Sequence, residues 1–167
     1  MIRSCFPLTQ FPSLTLSQIN AEPIATTQLY LMDGVPNDVM MSSLVSAGHF
    51  FLQQPTHSTY ASLSLLNHIM AVTYGEHEAP PISSPNVGII VAAPVPAMPG
   101  WYRALVVGVS DDEAYCDVKY VDYGGCSRLE TSSLRQIRMD FMNLPFQASE
   151  CYLADVAPLE GRSWLLC

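Results

Sequence analysis

Three tyrosines in this 167-residue sequence lie close enough together to share one piece of chemistry. Tyr102 stands near the start of a strand-like run, Tyr120 at the end of the next, and Tyr123 in the turn after it. If the two runs are antiparallel neighbours, the three rings converge. An aromatic face is negative, so converging faces hold a weakly hydrated cation. A methylated guanidinium or ammonium is such a cation, because it keeps its charge while losing hydrogen-bond donors. Packing competes with this account: tyrosine is common in the strands of small barrels, and composition alone favours packing.

No other set of residues assembles a reactive centre. Cys5, Cys116, Cys126, Cys151 and Cys167 show no paired ligand spacing, and His49, His57, His68 and His77 are scattered, so neither a metal nor a cofactor is expected. Asp111, Asp112 and Glu113 run consecutively, as in a solvated turn, and no histidine accompanies a Cys or Ser as base. The sequence is therefore not expected to be an enzyme. Seven Lys and Arg against fifteen Asp and Glu give a net charge of −8, which disfavours direct nucleic-acid binding and favours cationic partners. No stretch approaches the roughly 20 apolar residues of a membrane-spanning helix, and the N-terminus lacks the apolar run of a signal peptide, so a cytoplasmic chain without membrane insertion is expected. Hydrophobic residues at 49% and charged residues at 13% suit a piece of something larger.

The elements that must position the tyrosines follow from periodicity. Residues 1–35 show no sustained period and read as a flexible leader. Two apolar runs, Val39 to Ser46 and His49 to Gln54, joined at Ala47-Gly48, predict a hairpin. From Thr56 to about Tyr74, Tyr60, Leu63, Leu66 or Asn67, and Met70 recur at helical spacing, with Leu65 and Ile69 alongside; Thr56 or Ser58 can cap this helix and Gly75 ends it. A Pro-rich linker follows. Strands are predicted at Val87 to Val95, Trp101 to Ser110, Tyr115 to Val121 and from Cys126 to Glu130, with turn residues between them. TSSLRQIR predicts a single helical turn, the stretch from Asp140 to Leu144 a short helix, and Glu150 to Ala157 a last strand. The class is α+β, mainly β with one linking helix.

The fragments GWYRALVVGVSDDEAYCDVKYVDYGG and LRQIRMDFMNLPFQASECYLADVAPLEG resemble the Tudor family, specifically its extended module, over about residues 38 to 160. In that module a Tudor (SH3-like) antiparallel barrel is joined by a helix to part of a staphylococcal-nuclease-like (OB) subdomain without catalytic residues. The resemblance implies a hairpin and linker helix over 36–76, a loop over 77–86, a Tudor barrel over 87–140, and the start of the returning nuclease-like part over 141–167. AGHFFLQQPTH, YVDYGG and LRQIRMDFMNLPFQ look most like a kinase-anchoring branch of the family. That implies a parent protein at the mitochondrial outer surface, with kinase-binding and RNA-binding KH regions lying outside this sequence.

For the site, the resemblance assigns cage walls to Tyr102, Tyr120 and Tyr123. It also places Pro96 and Gly125 where readers of symmetric dimethylarginine carry a further aromatic residue and an asparagine. One missing cation–π wall weakens binding by about 1 kcal/mol and one missing hydrogen bond by about 1 to 1.5, together roughly thirty- to a hundredfold. By the strand period of two, Trp101 and Arg103 face away from Tyr102. The resemblance pairs Arg103 with Asp122 in a salt bridge bracing the barrel against the helix. The expected function is a protein-interaction module that reads methylated or Arg-rich peptides weakly. The alternative is a scaffold or dimerisation module with a non-functional cage, because the family's second barrel continues beyond the point where LEGRSWLLC ends this sequence, and open edges with Trp164, Leu165 and Leu166 invite a homodimer.

Overall fold

The computed structural model describes residues 2–4, 27–76, 79–96 and 98–154. Its strands form two antiparallel sheets. The first contains β1 (Ile2–Ser4), β2 (Met40–Ser46), β3 (His49–Gln53) and β9 (Ser149–Leu153), in the order β1-β9-β3-β2. The second contains β4 (Ile90–Val95), β5 (Met98–Val109), β6 (Tyr115–Tyr120), β7 (Cys126–Glu130) and β8 (Arg135–Gln136), in the order β7-β6-β5-β4-β8. One helix, α1 (Ala61–Glu76), connects them.

Alternation along β5 decides what goes where. Ala104 and Val106 point into a barrel core with Val91, Ala93, Cys116, Val118 and Leu134. Leu105 points the other way, onto Val121 and Phe146. Ala92 of β4 likewise faces outward, onto Met70 and Tyr74 of α1 and onto Phe141. With both faces of β4 and β5 covered, their near-continuous apolar runs, IIVAA and ALVV, are accounted for. Helix α1 buries Leu63, Met70 and Tyr74 and leaves Leu65 exposed at 61%.

Local signals misplace several boundaries. The helix starts at Ala61, because residues 54–60 fold into successive turns: His57 N donates to Gln54 O and Tyr60 N to His57 O, both at 3.0 Å. It also runs through Gly75 to Glu76. In TSSLRQIR only Thr131–Ser133 form a 3₁₀ turn. Arg135 and Gln136 instead extend along the edge of β4, opposite Ala92 and Val91. The short helix near Asp140 is a 3₁₀ turn over Met139–Met142.

The flexible leader expected over residues 1–35 is corrected at both of its described ends. Ile2–Ser4 pair with β9, Arg3 lying opposite Tyr152. Thr27 O accepts from Phe146 N at 2.9 Å, Gln28 Nε2 donates to Ala148 O at 2.9 Å, and Ser149 Oγ donates to Leu29 O at 2.8 Å. These residues need no period of their own, since their partners lie more than a hundred positions away. Residues 5–26, and the expected end of the last strand with Trp164, Leu165 and Leu166, lie outside the described residues.

Arg103 and Asp122 hold this arrangement together. Arg103 is fully buried at 0% exposure and Asp122 lies at 2%. Arg103 Nε donates to Asp122 Oδ2 at 2.9 Å and Nη2 to Oδ1 at 2.6 Å, a two-pronged pair. Nη1 donates to the carbonyls of Phe141 and Leu144 at 2.9 and 2.7 Å, and Nη2 also reaches that of Pro145 at 3.2 Å. All five guanidinium N–H groups are thereby used. The brace runs to the segment 141–145 rather than to α1, where it was expected. Asp122 Oδ1 accepts a further bond from Gln147 N at 3.2 Å, and Asp122 O one from Gln53 Nε2 of β3 at 2.6 Å.

Removing one member of so buried a pair leaves the other charged and unpaired, so Arg103→Ala is expected to destabilise the fold by about 3 to 5 kcal/mol in urea denaturation. Arg103→Lys should recover little of this, because an ammonium cannot reproduce the fork. A double-mutant cycle with Asp122→Ala that returned zero coupling would contradict this account.

Candidate functional site

The two strands next to each other in the barrel bring the tyrosines to one place. Tyr102 lies on β5 opposite Ala93 of β4, while Tyr120, the last residue of β6, lies opposite Ala104 of β5. The turn after β6 then returns Tyr123 to the same end. Tyr102 stands at right angles to both other rings: centroids are 6.4 Å apart at 86° for Tyr120 and 5.7 Å apart at 89° for Tyr123. The three rings border a cavity of about 290 Å³.

Each hydroxyl is tied down. Tyr120 Oη donates to Pro94 O at 2.7 Å and Tyr102 Oη to Pro99 O at 3.3 Å. Tyr123 Oη accepts from Asn67 Nδ2 of α1. The rings are therefore set in orientation by bonds at their rims, which leaves their faces to line the space between. Burial pushes the phenols of Tyr120 and Tyr123 up from the ordinary 10.0, so both are neutral near pH 7.

Gly124 and Gly125 adopt φ of 77° and 78°, the left-handed region that the two-glycine turn of VDYGG supplies. Gly124 is also pressed against Phe51 of β3, and a Cβ there would overlap the Phe51 side chain. The turn bearing Tyr123 is thus seated directly on the first sheet. At Gly125, a Cβ would stand 3.1 Å from Ser43 Oγ of β2. Pro96 is exposed at the tip of the β4–β5 hairpin, and the neighbouring Val95 borders the cavity in its place. Ser42 and Ser43 of the hairpin, which the sequence did not single out, and Asn67 of the helix, which it marked only as a position on the periodic face, complete the site. The signal for the first two was a polar pair inside the otherwise apolar run MMSSLV.

Glu150 of β9 gathers His49 Nε2 at 2.8 Å, Lys119 Nζ at 2.9 Å and Tyr152 Oη at 3.0 Å, a second polar tie between the first sheet and β6. Burial pushes its carboxyl up, but the bonds from Lys119, His49 and Tyr152 outweigh burial and hold it below the ordinary value. A larger cavity, about 360 Å³, lies between the end of α1 and β8 and is bordered by Val72, Tyr74, Ala79 and Ile137. It brings together no set of rings or ionic groups comparable to the tyrosine cavity. Among the described residues no group of three His, Cys, Asp or Glu side chains could hold a metal, and no helix is long and apolar enough to cross a membrane.

The Tudor domain profile matches residues 32–155. The sequence is 41% identical over 176 residues to the KH domain-containing protein akap-1 of Caenorhabditis elegans, covering 98% of this chain and 20% of that protein. It is 38% identical over 160 residues to mouse A-kinase anchor protein 1, mitochondrial, covering 90% of this chain and 19% of that protein. The chain thus spans about a fifth of the length of these relatives. The extended Tudor domain TD3 of mouse TDRD1, solved in complex with a MILI peptide containing dimethylarginine, matches with a TM-score of 0.72 at 27% identity, covering 85% of this chain and 71% of that one.

Tyr74, Tyr120 and Tyr123 are all raised by burial, and a raised phenol contributes stability that is present below about pH 10 and lost as pH climbs through its folded value. The urea midpoint is expected to hold steady up to about pH 9.5 and to fall beyond pH 10. Tyr123→Phe should make that fall shallower, because one of the three ionising groups is gone. An unchanged slope would contradict the assignment.

Proposed function

Because the chain belongs to the Tudor family, as an extended Tudor domain close to that of A-kinase anchor protein 1, we propose that its tyrosine cavity receives an arginine side chain of a protein partner. Tudor domains are non-catalytic binding modules, and this chain is not an enzyme. One observation carries the reading: Tyr102 stands perpendicular to Tyr120 and Tyr123 around a single cavity, with all three hydroxyls bonded at the rim. Two aromatic walls at right angles hold a delocalised cation by its faces. A net charge of −8 adds long-range attraction for an Arg-rich or methylated segment.

The grip is weak. Val95 and exposed Pro96 offer no fourth ring, and Gly125 offers no side-chain acceptor. The cage is a degenerate reader of methylated arginine, tuned to low affinity. Through a parent protein of the kinase-anchoring, RNA-associated kind, such a domain recruits cationic peptides to the mitochondrial outer surface while other regions contact kinase and RNA. The domain itself makes no direct contact with nucleic acid.

A second reading, homodimerisation, is favoured by β2. It lies at the edge of its sheet, and its Met41 and Leu44 are 54% and 64% exposed. Light scattering over a dilution series is expected to show a dimer that Leu44→Lys converts to monomer, and a monomer throughout would remove this reading.

For the cavity, calorimetric titration with a peptide carrying symmetric dimethylarginine is expected to show weak binding, and Tyr102→Ala to reduce it about fivefold or more. Unchanged affinity in a folded Tyr102→Ala variant would leave the tyrosines as packing residues.

A further inference from the structure

We propose that Ser43 supplies the hydrogen-bond acceptor for a guanidinium in this cavity, so that the polar part of recognition comes from the first sheet rather than from the barrel. The inference rests on the reading that the cavity receives arginine. It follows from what stands beside Gly125. With no side chain there, the space that one would fill is held by Ser43 Oγ, 3.1 Å from the Cβ position. Ser43 borders the same cavity as the three tyrosines.

Ser43 and its neighbour differ in a telling way. Ser42 Oγ is committed to Phe51 O at 3.3 Å. Among the described residues, Ser43 Oγ has no hydrogen-bond partner, although the residue is half-buried. A half-buried hydroxyl beside an aromatic cavity is thus open to a ligand. The other polar group of the turn is unavailable, because both oxygens of Asp122 are bonded to Arg103.

The chemistry then separates ligand classes. Aromatic faces hold any weakly hydrated cation, including a trimethylated ammonium with no N–H to donate. Symmetric dimethylarginine keeps one N–H on each terminal nitrogen and can donate to a serine oxygen. Ser43 therefore makes the cavity choose a guanidinium over a quaternary ammonium. A hydrogen bond to a charged group is large enough to make that choice about tenfold or more.

The test titrates the full chain with two peptides identical except for symmetric dimethylarginine or trimethyllysine at one position. The parent is expected to prefer dimethylarginine by about tenfold or more. Ser43→Ala should abolish the preference by weakening dimethylarginine binding alone, and Ser43→Thr should keep it. Ser43→Ala combined with Gly125→Asn should restore it from the turn side, since the smaller neighbour makes room and asparagine tolerates positive φ. Thermal melts establish that each variant is folded. If Ser43→Ala retained the preference, or weakened both peptides equally, Ser43 would be a packing residue and the proposal would fall while the cage reading stood. If the parent bound neither peptide, the cage reading would fall and the proposal with it.

Discussion

A buried arginine has to find a partner for each of its donors, and Arg103 finds all of them in two places, the turn after β6 and segment 141–145. Asp122 takes two, and the carbonyls of Phe141, Leu144 and Pro145 take the rest. Desolvating such a charge costs several kcal/mol unless it is fully paired, so the geometry of β5, of the turn after β6 and of segment 141–145 is set jointly. The two partners are chain neighbours of Tyr102 and Tyr123. Strand alternation sends Tyr102 to the cavity and Arg103 to the joint, and the turn does the same with Tyr123 and Asp122. Whatever fixes the joint therefore fixes the orientation of two cavity walls.

Sequence alone is most informative where local pattern and tertiary demand agree. The strands from β4 to β7 are alternating or apolar runs cut by turn residues and form where expected, except that β4 starts at Ile90 rather than Val87 and β5 at Met98 rather than Trp101. The hairpin of β2 and β3 is legible for the same reason, with Ala47-Gly48 at its bend. Disagreement arises where a distant partner competes. The helical signal in TSSLRQIR loses to the unfilled edge of β4, which takes Arg135 and Gln136 into a sheet. The segment around Gln28 shows no period because it answers to the backbone near Phe146 and Ala148, which no local window can register.

The site divides along the same line. Spacing puts Tyr102, Tyr120 and Tyr123 where three rings can converge, and the family resemblance tips the balance from packing to a cavity. Ser43 escapes notice because a serine in a strand has no distinguishing spacing, and Asn67 registers only as a position on the periodic face of the helix. They acquire meaning only when the first sheet and α1 pack against the barrel. Pro96 and Val95 show how fine the margin is: displacing the hairpin turn by one residue decides which side chain meets the cavity.

The barrel interrupts another sheet. Strands β2 and β3 precede it and β9 follows it, so the contact between His49 and Glu150 closes across 101 positions. Closing so long an unstructured loop carries a large entropy penalty, which a pre-formed barrel reduces by drawing its two ends together. Chain order therefore sets a sequence of events. The hairpin and helix are made before the barrel strands and cannot complete their sheet until β9, which follows the barrel, has also been made. During synthesis the inner edge of β3 stays uncovered until the last described strand has been made, so slow translation between the hairpin and β9 prolongs the interval in which that edge is open to a wrong partner.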